Sequence, residues 1–346
     1  MCATAVLTVR NEGAFLLEWL AHHKGVGFTD FLVFSNDCDD GTDAMLDRLE
    51  QMGELVHQPN PGPHEGGVQF AALKQADKHP LVREADWLMT LDIDEFVNIH
   101  VGDHTLGALF AALPEADAIT LTWRLFGNCG VRDYEDGLVT EQFTRAAPEV
   151  MIWPWRAFLF KTLYRNSGAY RKLGVHRPRS PSDAADATRW FDGEGRELEA
   201  RFRRNQIFSN FGRPNYGLVQ LNHYPLGAME SYILKRDRGR VNRQSTETGL
   251  DYWTERNWCE EEDRSIRASD TLRDPHLARL RADPELARLH DAAVAWRKDR
   301  FAELMAEEPV RALYGRLLLA PPARLVTRDA ASRLFEFARA PGKHPD

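Results

Sequence analysis

Cysteine is scarce. The 346 residues hold four, Cys2, Cys38, Cys129 and Cys259, and none falls in a CxxC or Cys/His spacing. That argues against a zinc site, and the scatter suits free thiols in a reducing cytoplasm better than a disulfide framework. Long apolar runs are missing too: nothing approaches the ~18 residues of a membrane span. The opening MCATAVLTVRNEG has neither the basic start nor the apolar stretch of a signal peptide. A cytoplasmic protein is expected, with contact to a membrane surface left open. There is no excess of positive charge. Lys and Arg total 44 against 52 Asp and Glu, a formal net charge of -8, so no electrostatic footprint for nucleic acid shows. A locally basic face is left open, with the stretch between Arg196 and Arg204 as one candidate. No GxGxxG follows the first apolar run, which speaks against a dinucleotide-binding or flavodoxin-like protein.

What is present reads as an α/β chain. Ala5 to Val9 is an apolar, β-branched run and predicts a buried strand, broken by Asn11-Glu12-Gly13. Phe15, Leu16, Trp19, Leu20 and His23 follow helical spacing up to Gly25 and Gly27. Phe31 to Phe34 predicts a second strand, Met45, Leu46 and Leu49 one face of a helix, and Glu54 to His57 a third strand. A helix from about Val68 to Lys78 leads to a fourth strand, Trp87 to Leu91. A helix over Thr105 to Leu113 then precedes a strand over Ala118 to Trp123. The alternation predicts a mostly parallel open sheet with helices on both faces. Further strands are expected near Phe158 to Tyr164 and Leu218 to Leu221, a polar loop over Pro181 to Arg204, and helices from Met229 onward. The length fits one domain of about 230–250 residues with a helical C-terminal extension, drawn at 1–245 and 246–346.

The fourth strand ends in Asp92-Ile93-Asp94-Glu95-Phe96. Ligands of open parallel sheets bind beyond the carboxyl ends of the strands. Alternation along an extended segment lets Asp92 and Asp94 face one way. Two hard oxygen ligands there suit Mg²⁺ or Mn²⁺ with diphosphate oxygens completing the shell. Such a cation would stabilise the charge that grows on a nucleoside diphosphate leaving group. The alternative is a solvated acidic surface turn.

Several ordered motifs resemble those of the family 2-like and family 92-like glycosyltransferases. They are Val9-Arg10-Asn11-Glu12, Leu17-Glu18-Trp19-Leu20, His22-His23 and Gly25-Val26-Gly27; the turn Ser35-Asn36-Asp37-Cys38-Asp39-Asp40-Gly41-Thr42; and Gln69 through Asp92-Ile93-Asp94-Glu95-Phe96. Asn222-His223-Tyr224 follows, with Ser231, Lys235 and Arg238-Gly239. The match spans roughly residues 3 to 240. It implies a GT-A fold, a nucleotide-sugar donor, with UDP the family expectation, and a glycan or glycolipid acceptor. It also implies nucleotide contacts from Arg10, Asn11, Glu12, Asn36, Asp40 and Asp92. The family's turn opens with Asp where this chain has Ser35, a departure for which Asp37 or Asp39 would have to compensate. The resemblance adds His223 to Asp92 and Asp94 as a metal ligand, the alternative being a buried histidine bonded to backbone.

Lys235 and Arg238 lie three apart on a helical stretch with Arg236 and Arg240 and are expected at the diphosphate; a solvated basic face is the alternative. Phe126, after Trp123-Arg124-Leu125, and His176 are expected at the substrate, or else in the core. An inverting transfer needs a general base. The carboxylates offered are Asp133, Glu135 and Asp136, with Glu141 nearby, and Glu95 if it points into the cleft; a retaining enzyme would need none. The leucines and arginines of Val310 to Ala340 are read as a helix packed on the catalytic domain or a second subunit, in preference to a membrane-surface helix serving a lipid-linked acceptor. Two other functions compete. A sugar nucleotidyltransferase would carry a Gly-rich basic first loop, where this chain has Arg10-Asn11-Glu12-Gly13. A non-catalytic nucleotide-sugar-binding protein is opposed by the intact carboxylates of the acidic turn.

Overall fold

A computed structural model of the chain describes residues 1–64, 66–238 and 249–339. Gly239, Arg240 and the expected boundary at 245/246 lie outside the described residues. Nine strands are labelled here: β1 (Ala3–Val9), β2 (Asp30–Ser35), β3 (Val56–Pro59), β4 (Trp87–Leu91), β5 (Glu95–Ile99), β6 (Ala118–Leu125), β7 (Phe160–Arg165), β8 (Trp190–Asp192) and β9 (Val219–His223). They form one sheet in the order β3-β2-β1-β4-β7-β6-β9-β5, with β8 added beside β6. The β3-β2-β1-β4 part is parallel. Every residue of β1 and β4 is buried, as expected of parallel strands covered on both faces. Helices α1 (Gly13–Gly25), α2 (Thr42–Gln51), α3 (Val68–Ala76) and α4 (Leu106–Ala112) supply that cover. The expected α/β class with a mostly parallel sheet is what the chain adopts.

Four readings are corrected. The acidic segment after β4 is a tight turn, and β5 begins at Glu95 and pairs antiparallel with β9, His223 lying opposite Glu95. The expected loop 181–204 contains β8, and Trp190 and Phe202 are fully buried in a second apolar cluster with Val6, Leu32 and Phe160. Its arginines are tied down: Arg196 bonds Asp192, Arg204 pairs with Asp186, and Arg201 bonds Asn210. Hence it is no open basic face. The strand expected over 54–57 starts two residues later, which frees Glu54 for an ion pair. Finally, Cys129 and Cys259 form a disulfide. The reading of four free thiols, and the reducing compartment inferred from it, lose their support.

The C-terminal helices are α5 (Met229–Asp237), α6 (Leu250–Arg256), α7 (Asp270–Arg281), α8 (Pro284–Leu304), α9 (Glu308–Leu319) and α10 (Arg328–Arg339). Leu277, Leu280, Leu286, Leu289 and Ala293 of α7 and α8 share one apolar cluster with Leu16, Leu20, Met45 and Leu46 of α1 and α2. The extension therefore completes the core of the first βα units. Gly25, at the end of α1, is needed for this: a Cβ there would lie 2.7 Å from the carbonyl carbon of Leu272. Val310, Leu313 and Leu317 of α9 pack against Tyr232, Ile233 and Trp253. Phe335 of α10 stacks on Phe211 at 5.4 Å, while Leu334 and Phe337 stay exposed. No described helix is long and apolar enough to cross a membrane.

Glu54 joins the two parts, pairing with Lys24 of α1 at 2.9 Å and with Arg279 of α7. The hydrogen bond from Arg279 and the nearby Lys24 ammonium hold its carboxyl at about 2. A depressed carboxyl contributes stability above its ordinary range, and that contribution is lost as pH falls toward the depressed value. Glu54→Gln is expected to destabilise by about 1–2 kcal/mol at pH 7, solvent around Arg279 limiting the effect. In urea unfolding the difference from wild type should fade between about pH 4.5 and pH 2. A difference independent of pH would mean that the carboxylate charge is not what ties the helices.

Candidate active site

The turn after β4 is closed on itself. The Glu95 amide donates to the Asp92 carbonyl at 3.1 Å, and the Asp92 amide donates to Glu95 Oε2 at 2.9 Å. Helix α1 braces it from below. Trp19 Nε1 donates to the carbonyls of Asp92 and Glu95, His22 Nε2 donates to the Val97 carbonyl, and Glu18 accepts from the Val139 and Thr140 amides. The Leu17–His23 motif thus holds the acidic turn in place from within the core.

Asp92 and Glu95 share one cation. Lys161, on β7, is fully buried, with Nζ 3.0 Å from Asp92 Oδ2 and 3.4 Å from Glu95 Oε2. Burial works to lower the lysine, but the two carboxylates outweigh it and raise it above its ordinary value. Glu95 is enclosed and also accepts from Trp123 Nε1 at 2.7 Å. Burial pushes it up to about 8, against the pull of Lys161. It points inward, so the condition for Glu95 as a base facing the cleft is not met; it positions Trp123 and the turn. Gln69, at the start of α3, donates to Asp92 Oδ1 at 3.1 Å.

Asp94 faces the other way. Its Oδ2 is 2.6 Å from Lys235 Nζ and 3.6 Å from His223 Nε2. Burial alone would raise this carboxyl, yet Lys235 and His223 together hold it well below the usual range. The antiparallel β5/β9 pairing sets His223 beside the turn, its ring 4.2 Å from that of Trp123. Burial lowers the imidazole despite Asp94, and among the described residues its Nδ1 is buried without a hydrogen-bond partner. A neutral imidazole and a carboxylate 3.6 Å apart fit a small divalent cation. Among the described residues no group of three or more His, Cys, Asp or Glu is arranged to hold one. The remaining positions would fall to ligand oxygens, the usual way Mg²⁺ is held. Of the three expected ligands, then, Asp94 and His223 come together, and Asp92 is turned to Lys161 and Gln69.

A pocket opens beside Asp94 at the carboxyl ends of β1, β4 and β9. Glu12, Asp94, Tyr134, Lys235, Arg238 and Arg297 line it among apolar side chains. Arg238 is ion-paired with Glu12 and bonds the Arg10 carbonyl at 2.7 Å, and Arg10 Nη1 donates to the Arg238 carbonyl. Arg10, Glu12, Lys235 and Arg238 are therefore gathered at one rim. Asn11, Asn36 and Asp40 build that rim. Asn11 adopts φ 53° and accepts from the Asp39 amide; Asn36 bonds the Val9 carbonyl and Asn60. Asp40 accepts from the Gly13 and Thr42 amides, fixing the starts of α1 and α2. At the departure, Ser35 bonds His57 at 2.8 Å, while Asp37 and Asp39 are exposed.

Other expected residues fall elsewhere. Phe126 is buried against Tyr224, with ring centroids 4.7 Å apart, so it belongs to the core and not to a substrate surface. His176 bonds the Phe160 carbonyl through Nδ1, sits edge-on to Trp123, and is lowered to about 4 by burial. Asp133 and Glu135 are exposed, and Asp136 pairs with His290 at 3.0 Å; none of the three lines the pocket. Sequence reasoning did not assign roles to Lys161, Tyr134 or Arg297. A lysine inside the apolar run Phe158-Leu159-Phe160-Lys161 was a visible signal for the first. The other two had none.

The model of glycosyltransferase family 92 matches residues 2–186. A glycosyltransferase family 92 protein of Oryza sativa subsp. japonica is 27% identical over 157 residues, 43% of this chain and 25% of that protein. One of Ricinus communis is 30% identical over 112 residues, 31% of this chain and 18% of that protein. The chain thus spans a quarter or less of the length of these curated relatives. Among solved structures, residues 1–349 of S. aureus TarS in complex with UDP-GlcNAc superpose with a TM-score of 0.30 at 19% identity, covering 48% of this chain and 46% of that one. That superposition is too loose to transfer residue roles.

Proposed function

The chain belongs to glycosyltransferase family 92, and from that membership we propose that it transfers a sugar from a nucleoside-diphosphate sugar, a UDP-sugar by family expectation, to a hydroxyl of a glycan or glycolipid. The observation that carries the proposal is the meeting of Asp94, His223 and Lys235 at the carboxyl end of the parallel sheet, beside a pocket rimmed by Arg238. Ligands of open α/β sheets bind at this edge.

In this reading Asp94 and His223 hold Mn²⁺ or Mg²⁺, which when bound neutralises charge on the diphosphate. Lys235 then exchanges Asp94 for a phosphate oxygen, and Arg238 offers its guanidinium to the same group. Lys161 fixes one oxygen of Asp92 and Gln69 the other, so that Asp92 faces the nucleotide in one rotamer. Trp123, held by Glu95, keeps the His223 ring in place.

Thermal unfolding against a panel of nucleotides and nucleotide sugars, each with Mn²⁺ and with chelator, tests the donor site. A ligand at ~100 times its dissociation constant stabilises by about 2.7 kcal/mol. We expect one nucleoside diphosphate to raise Tm with metal and to lose that effect with chelator. No shift from any nucleotide, with or without metal, would leave the donor site without support and favour a binding protein for another ligand.

A further inference from the structure

Arg297 of α8 is 4% exposed and lines the pocket beside Asp94. Its guanidinium lies over the rings of Phe15 at 4.5 Å and Tyr134 at 4.8 Å, so aromatic rings hold its faces. Its edges are another matter. Nε is buried without a hydrogen-bond partner among the described residues. Among the described residues no hydrogen bond or salt bridge reaches any of its nitrogens. A guanidinium has five N–H donors in a fixed fork, suited to carboxylate or phosphate. Leaving it buried and unpaired is costly.

The other charges of the pocket are matched. Asp94 pairs with Lys235, Glu12 with Arg238, and Asp237 with Arg300. Glu12 and Asp40 attract Arg297 through space, but Glu12 is already bonded to Arg238, and Asp40 to the Gly13 and Thr42 amides. Among the described residues one cation is left over, fixed by two rings and facing a mostly apolar pocket. Buried charges in proteins are ordinarily paired, and sites that break such a rule are expected to be functional.

We infer that Arg297 is a binding residue for an oxyanion of the substrate, a phosphate or carboxylate group seated in this pocket on a sugar or nucleotide body. The inference rests on the reading that this pocket is the substrate site. It gives the C-terminal helices a direct part in recognition, since α8 supplies the fork while the sheet supplies Asp94. The oxyanion has two sources: the diphosphate of the donor, or an acidic group on the acceptor.

The test uses the full chain as wild type, Arg297→Met and Arg297→Lys, titrated with inorganic pyrophosphate, UDP, glucose 1-phosphate and glucuronate by calorimetry and thermal shift. At least one probe should bind wild type saturably, and its Kd should rise tenfold or more in Arg297→Met and recover in part in Arg297→Lys. Pyrophosphate and UDP responding would assign the donor; glucose 1-phosphate or glucuronate alone would assign the acceptor. The ligand-free Tm of Arg297→Met should not fall, because an unpaired buried charge has gone. Equal Kd values in wild type and Arg297→Met, or no binding of any probe to wild type, would overturn the subsite. So would a lowered Tm with anion binding unchanged, the mark of a structural arginine. If Arg297→Met does not fold, Arg297→Lys decides: loss of the fork should weaken binding at least threefold, and an unchanged Kd overturns the inference. Metal-dependent UDP binding, with no probe depending on Arg297, would refute the subsite and leave the donor reading intact. Arg297-dependent anion binding without sugar transfer would do the reverse.

Discussion

Lys161→Met is expected to cost about 3 kcal/mol of folding stability at neutral pH, the size seen when one member of a buried ion pair is removed. Methionine fills similar space, so the loss is electrical. Asp92 keeps Gln69 and some solvent, but Glu95 has no exposure and would face Trp123 with no cation nearby. The enclosed carboxyl can escape by taking a proton. Burial already raises it to about 8 with Lys161 present, and removing the ammonium raises it further. A carboxyl raised in the folded state binds a proton that the unfolded chain releases above its ordinary value, so the penalty grows with pH. Wild type carries the same penalty up to about 8, so urea unfolding at pH 6.5 and pH 9 should show the larger deficit at pH 9. Adding Glu95→Gln, which keeps an acceptor for Trp123, should recover part of it. A deficit below about 1 kcal/mol, flat with pH, would place Lys161 outside the usual behaviour of buried pairs.

Asp94→Ala is expected to reduce sugar transfer about 100-fold or more, equivalent to about 2.7 kcal/mol of transition-state stabilisation. The fold should survive. Asp94 is partly exposed on the pocket wall, and Lys235 retains the Pro225 carbonyl at 2.8 Å. His223→Ala should behave differently, raising the metal concentration for half-maximal donor binding while saturating metal restores much of the rate. Measuring kcat and the metal midpoint for both variants separates the roles. Asp94→Ala with undiminished turnover would remove Asp94 from the chemistry. An unchanged metal midpoint in His223→Ala would make that histidine a packing partner of Trp123.

The Glu95 assignment shows how far a motif can be read. Asp92-Ile93-Asp94-Glu95 is visible in the sequence because a buried strand precedes it, and period-two alternation offered both aspartates to one site. A tight turn does not alternate like a strand. It sends Asp92 toward Lys161 and Asp94 toward His223, and folds Glu95 back on the Asp92 amide. The Leu17–His23 motif was similarly visible as a pattern. Its work as a brace is written in hydrogen bonds to residues some seventy positions away.

The order of residues alone reveals the βα order of the first half, the position of the acidic turn at a strand's carboxyl end, and the late histidine. These are set by local periodicity and by motifs read within a short window. Packing across the whole fold settles which cations meet which carboxylates, that Phe126 is core, that Cys129 and Cys259 are joined, and that α8 brings Arg297 to the pocket. The difference is one of range. Hydrophobic alternation acts between neighbours in the chain, while a charge is balanced by whatever packing brings within a few ångströms. Lys161 and Asp92 are 69 positions apart, and Lys235 and Asp94 are 141 apart.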